Sequence, residues 1–147
     1  MAELYKAKRK DNTEWIEGYY AKVKYYLSGK EVDIIFPLDV ESYPNCEFSR
    51  YEDIYPDTLC EHIRMSDKNG KLIFENDIVK TRYGRLCVVV FSQSPSHNCW
   101  DLKPINIREN LALPAVLNGL WREEDLEVVG NIHDMSTETL TTLLGGN

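Results

Sequence analysis

Nowhere in the 147 residues does an apolar run approach the ~20 that a membrane-crossing helix needs. Met1-Ala2-Glu3-Leu4 opens neither a signal nor a transit peptide, so the sequence leads one to expect a cytoplasmic protein. Phosphate-cradling glycine loops and the dinucleotide glycine pattern are missing. Cysteine is sparse: Cys46, Cys60, Cys87 and Cys99 are irregularly spaced, which excludes a disulfide framework and points to free thiols. Basic residues are outnumbered, with 17 Lys and Arg against 24 Asp and Glu, a net charge of −7. That balance argues against a general nucleic-acid binder, whose affinity comes from clustered cations neutralising phosphates. A nucleophile with a base and an orienting acid is lacking too, since Cys87 sits in an apolar run where a thiol packs rather than reacts. The expectation is therefore a protein without enzymatic activity and without a cofactor.

What is present is a soluble globular composition, 43% hydrophobic and 28% charged, with nine Tyr that favour strands and recognition surfaces. Leu4 to Lys10 alternates apolar and basic residues and reads as an edge strand with a positive side. Trp15 to Leu27 reads as a second, bent strand, in which Gly18 marks a bulge or a close backbone approach. Ser28-Gly29-Lys30 turns the chain into Glu31 to Phe36, completing an N-terminal antiparallel meander. Pro37, Pro44 and Pro56 make the stretch up to Asp57 an irregular connection. This divides the chain into residues 1–60 and 61–147.

In the second part Asp67-Lys68-Asn69-Gly70 is a turn whose glycine takes a positive φ, followed by a strand through Leu72 and Phe74. Glu75-Asn76-Asp77 makes another turn into Ile78-Val79, with Asn76 as its left-handed residue. Leu86 to Phe91 is apolar on both faces, as a central strand should be. Ser92 to Asn98 reads as a polar loop and Cys99 to Leu102 as a short strand. Residues 108–120 carry an apolar side interrupted by Pro114, compatible with a short helix. Leu126 to Ile132 supplies a closing strand, with a bulge at Gly130-Asn131, and Ser136 or Thr137 caps a short C-terminal helix through Leu144.

The run Asp67-Lys68-Asn69-Gly70, Ile73-Phe74-Glu75, Asp77-Ile78-Val79, with Val128-Val129-Gly130-Asn131-Ile132 far downstream, resembles the signature of the YopX family of phage and prophage proteins. Trp15-Ile16-Glu17-Gly18-Tyr19-Tyr20 is similar to that family's N-terminal segment. Asn76 and Arg64 stand where the family pattern has glycine. The resemblance implies a mainly β fold, the meander being followed by a small SH3-like β-barrel, and no established activity. Its signature positions are Asp67, Asn69, Gly70, Ile73, Glu75, Asp77, Gly130 and Asn131.

Among candidate sites, Asp67 to Gly70 fails as a calcium loop because glycine arrives two positions early and Ile78 stands where a bidentate Glu belongs. Cys60-x-His62 and His97-x-Cys99 each place two zinc ligands on one strand face, though the spacing matches no finger and buried thiols are the simpler reading. Glu123-Glu124-Asp125 reads as a solvated acidic run. Lys80, Arg82, Tyr83 and Arg85 cluster on one hairpin, a candidate binding surface for nucleic acid or simply a charged edge. The leading expectation is a phage-encoded module for protein association, self-association included. The rival is a small-barrel nucleic-acid binder using that hairpin, joined by the basic strand Lys6 to Lys10.

Overall fold

Among the described residues, alternating and doubly apolar runs become ten antiparallel strands, joined by turns whose left-handed residues are mostly Gly or Asn. The computed structural model describes residues 3–38, 51–94, 97–105 and 122–136. The fold is mainly β, with two antiparallel sheets and no closed barrel among the described residues. Two compact units divide at His62–Ile63.

The first unit is built on β1 (Tyr5–Lys8), β2 (Trp15–Lys24), β3 (Glu31–Pro37), β4 (Glu52–Asp53) and the start of β5 (Cys60–Ser66), in the order β4-β3-β2-β1-β5. Ala7, Ile35 and Ile54 form its buried centre, flanked by Tyr5, Ile16, Tyr20 and Leu59. Tyr20 donates a 2.5 Å hydrogen bond to Asp33 across the β2–β3 pair. That bond, with partial burial and the Asp33 charge, pushes the phenol pKa up to about 12. Gly18 is the close approach anticipated for it: a Cβ there would lie 1.9 Å from the Phe36 carbonyl oxygen.

Two expectations for this unit need correction. β1 is not an edge strand, since it pairs with β2 on one side and with β5 on the other. Lys6 is consequently buried, its ammonium held 4.6 Å from the Trp15 ring centre, with Lys8 at 5.4 Å from the same ring. The second strand stops at Lys24, because the turn is longer than Ser28-Gly29-Lys30. Gly29 at φ +70 donates to the Tyr25 carbonyl while Tyr25 donates to that of Lys30, which draws Tyr26 and Leu27 into the loop. Within the proline-rich connection, Glu52–Asp53 still pairs with Ile35 and Ile34, since two residues suffice for a short edge strand.

The second unit holds the rest of β5, its neighbour β6 (Leu72–Phe74), and a four-stranded sheet ordered β10-β7-β8-β9. These four are β7 (Asp77–Thr81), β8 (Leu86–Ser94), β9 (His97–Pro104) and β10 (Leu126–Asn131). Side chains facing one way from β8, Cys87 and Val89, join Ile63, Ile73, Val79, Leu102 and Leu126, while Val88 on the other face meets Ile78 and Ile105. Each such fully buried aliphatic side chain contributes about 1.5–3 kcal/mol. The loop expected from Ser92 is instead a continued ladder, through Ser92↔Cys99 and Gln93↔Asn98 to Ser94↔His97, because backbone pairing propagates without regard to side-chain polarity. β10 carries a bulge just before the Gly130-Asn131 position expected for it, with Val129 as the extra residue and the register shifted between Val128 and Gly130. β9 and β10 end the order on opposite sides, so these strands alone do not close an SH3-like barrel. The helices expected over 108–120 and through Leu144 lie outside the described residues, apart from Ser136.

The left-handed positions make a test of register. Gly70 has φ +81, Asn76 +68 and Arg64 +66. Gly70→Val should cost about 1–3 kcal/mol, because a β-branched side chain is forced into a strained region. Asn76→Gly should be neutral or slightly stabilising, and Arg64→Gly should gain up to about 1 kcal/mol by removing a Cβ from a left-handed residue. Thermal melts of the three variants check this; a loss in all three would contradict the turn assignments. Gly18→Ala should destabilise by about 3 kcal/mol, because backbone rather than a flexible side chain occupies the space.

Candidate functional site

Asp67 stands at the head of the turn between β5 and β6, and its side chain is buried. Oδ1 accepts from the backbone N–H groups of Asn69 and Lys71, both at 2.9 Å, which fixes the turn locally. Oδ2 accepts from the N–H of Val128 at 2.9 Å, which ties that turn to β10, 61 residues away in sequence. Burial pushes the carboxyl up, but the three N–H donors and the Lys71 charge outweigh it and hold it below the ordinary Asp value. Gly70 completes the turn by donating its N–H to the Asp67 carbonyl.

Asp77 repeats the device one hairpin later. Its Oδ2 accepts from the Phe74 N–H at 2.8 Å, closing the Glu75-Asn76 turn, and its Oδ1 accepts from the Asn131 amide at 2.9 Å. Asn131 in turn accepts from the His133 N–H, capping the short 3₁₀ turn Ile132–Asp134. Ile73 is in the core, whereas Asn69 and Gly70 are exposed and Glu75 and Gly130 half-buried. Asp67 and Asp77 are thus committed to backbone donors and to one amide, which is the chemistry of a scaffold.

The hairpin carrying Lys80, Arg82, Tyr83 and Arg85 turns through Gly84 at φ +80. Arg82 lies 4.8 Å from the Tyr83 ring centre and donates to the Tyr83 hydroxyl at 2.8 Å, while Tyr83 is 74% exposed. Arg82 also donates to Asp125 at 3.3 Å. Beside the hairpin runs an open groove of about 500 Å³, where Lys68, Lys80 and Arg82 face Glu124, Asp125 and Glu127. Lys68 pairs with Glu127 at 3.3 Å, and Glu127 is also the cross-strand neighbour of Lys80. Arg85 is half-buried at the turn's end and bonds Thr81 through its backbone. The groove is therefore of mixed sign.

The acidic run beside it is not simply solvated. Asp125 is buried and accepts from the Arg122 N–H as well as from Arg82, and Glu123 accepts from the Ser66 N–H. A 3₁₀ turn over Glu123–Asp125 aims these oxygens at backbone donors, which the contiguity of three acids did not reveal. Of the zinc candidates, Cys60 is buried with its thiol on the Thr58 carbonyl, and His62 is half-buried. The side chains of His97 and Cys99 lie outside the described residues. No group of three metal-ligating side chains occurs among the described residues.

Sequence reasoning missed the tip of the β2–β3 hairpin. Tyr26 is 97% and Leu27 96% exposed there, and Tyr19, Tyr25, Tyr51 and Tyr55 of the same unit are exposed as well. The signal was available, since Tyr-Tyr-Leu directly precedes Ser-Gly-Lys, but the apolar run suggested strand.

The Asp67 carboxylate sets an acid limit. Because its folded pKa lies below the unfolded one, its stabilisation is fully present above the ordinary Asp range and is lost as pH falls through that range toward the depressed value. Denaturant midpoints should therefore drop as the pH falls below about 4. Asp67→Asn should cost about 1.5–3 kcal/mol at neutral pH, because an NH₂ then faces at least one backbone N–H, and should flatten the acid-side drop. An unchanged pH profile in the variant would refute this.

The family model described as YopX protein matches residues 4–138. The chain belongs to that family. Comparison with curated proteins gives no match.

Proposed function

We propose that this YopX-family chain is a non-enzymatic accessory module of a phage or prophage, acting in the bacterial cytoplasm by associating with protein. The observation that carries the reading is the β2–β3 tip, where two large apolar side chains stand almost wholly in water. Tyr and Leu held this way cost solvation without serving a core, and clustered exposed apolar groups mark association surfaces. The committed state of Asp67 and Asp77 supports it too, since carboxylates occupied by backbone donors are poor acid–base or metal groups.

A second reading has its own observation. Arg82 stacked on the exposed Tyr83, with Lys80 and Arg85 near, is the kind of pair on which bases stack and phosphates rest. The four-stranded sheet that carries this hairpin is what an SH3-like barrel would be assembled from. Against it stand Asp125, Glu124 and Glu127 in the same groove, which offset the cations a phosphate chain would need.

Salt separates the two. A partner held by the apolar tip should stay bound between 50 and 200 mM salt, roughly the range over which several phosphate contacts lose orders of magnitude in affinity. Recovery of a protein partner that survives this range and is lost in Tyr26→Ser/Leu27→Ser supports association. Salt-sensitive binding of DNA or RNA that is lost in Arg82→Ala/Tyr83→Ala would replace it with the second reading.

A further inference from the structure

The tip of the β2–β3 hairpin has a local charge unlike that of the chain. From Lys24 to Lys30 there are two lysines and no acid, in a protein of net charge −7. Neither Lys24 nor Lys30 has an ion-pair partner among the described residues. Beside the tip is an open hollow of about 340 Å³, formed where β4 meets the end of β1 and lined by Lys10, Asp11, Tyr51, Glu52 and Asp53. Arg9 takes up Asp11 at 2.6 Å and Glu52 at 3.2 Å, but Asp53 has no ion-pair partner among the described residues. Tip and hollow belong to the same unit, and the Tyr25 side chain at the base of the hairpin interacts with Tyr51 of the hollow.

We propose, building on the association reading, that a second copy of this chain covers the tip: Tyr26 and Leu27 of each copy enter the hollow of the other. Lys24 and Lys30 then meet Asp53 and Glu52 across the contact, so the cations and the carboxylate without partners in one copy gain them in two. Adjacency of tip and hollow is what a two-fold axis requires, since one rotation must bring both reciprocal contacts together. The apolar side chains supply the burial, and Tyr51 gives the hollow an aromatic surface on which Leu27 can pack.

The test is the mass of the full chain by light scattering across a concentration series at 150 mM salt. Wild type should pass from monomer to dimer. Tyr26→Ser/Leu27→Ser, at exposed positions where the fold tolerates change, should weaken dimerisation about ten-fold or more, and Asp53→Lys should act in the same direction. Circular dichroism melts verify that each variant is folded. A one-to-one mixture of the two variants should form more dimer than either alone, because a heterodimer keeps one intact tip-in-hollow contact. A wild type that stays monomeric, or a dimer indifferent to both variants, overturns the proposal. If such a monomer still retains a different protein through Tyr26 and Leu27, the second-copy proposal falls while the association reading stands. If it retains none, both fall.

Discussion

One carboxylate holds together what the sequence keeps far apart. Asp67 spends one oxygen on its own turn and the other on Val128, so the register of the β5–β6 connection and that of β10 are set by the same group. Hydrogen bonds to a charged acceptor are worth about 1.5–3 kcal/mol each, more than most neutral ones, and burial removes the water that would compete for them. Asp77 and Asn131 add a second tie to β10, this time from β7, which carries the acid while β10 carries the amide. With β10 pinned twice, the bulge at Val129 is the slack: an extra residue lets Val128 and Asn131 both reach their acids.

This explains which parts of the fold could be read from the chain. Turns were legible because their chemistry is local: Asp67 to Gly70 and Glu75 to Asp77 each carry a side-chain acceptor and a left-handed residue within a few positions. The doubly apolar Leu86 to Phe91 was legible because no other environment suits it, and it lies between β7 and β9. Strand order was not. Nothing in Leu4 to Lys10 says that Cys60 and Glu61 will pair with it, and an alternating basic strand looks like an edge until Trp15 offers a ring to cover Lys6. The pairing of Asp67 with Val128 was equally invisible, since a carboxylate accepting from remote backbone leaves no mark in the partner's side chain. Tyr26 and Leu27 were misread for the opposite reason, apolar character being taken for burial when the position of Gly29 had already decided the turn.

The same distinction bears on what the molecule does. At the β7–β8 hairpin, composition alone suggested a cationic surface, but geometry brings Asp125 and Glu127 to those cations from a part of the chain more than forty residues on. Exposed pairs of this kind add little stability, about 0–1 kcal/mol, yet they remove the field that would gather an anionic polymer. At the β2–β3 tip neither Lys24 nor Lys30 has an ion-pair partner among the described residues, although Glu31 lies across the ladder from Lys24. Folding leaves Tyr26 and Leu27 almost wholly exposed, with Lys24 and Lys30 near them in sequence, and the proposed association would relieve that solvation cost. The two units thus present opposite solutions: one hairpin whose charge is satisfied internally, and one whose apolar tip is not.

The left-handed conformations of Arg64 and Asn76 follow from that scaffold. Arg64 and Asn76 occupy left-handed conformations that a glycine would adopt without strain, and both stay there because the backbone around them is fixed by other bonds. Asn76 donates its N–H to Val89 and accepts from the N–H of Ile132, so its φ is dictated by β8 on one side and the end of β10 on the other. Arg64 lies between Ile63, in the core, and Met65, packed against it, so the residues on both sides of it are anchored in that cluster. The scaffold therefore imposes the conformation and the side chain bears the strain. An acid such as Asp67 holds three separate backbone groups, while a glycine at a left-handed position only spares the chain a cost of about 1–2 kcal/mol.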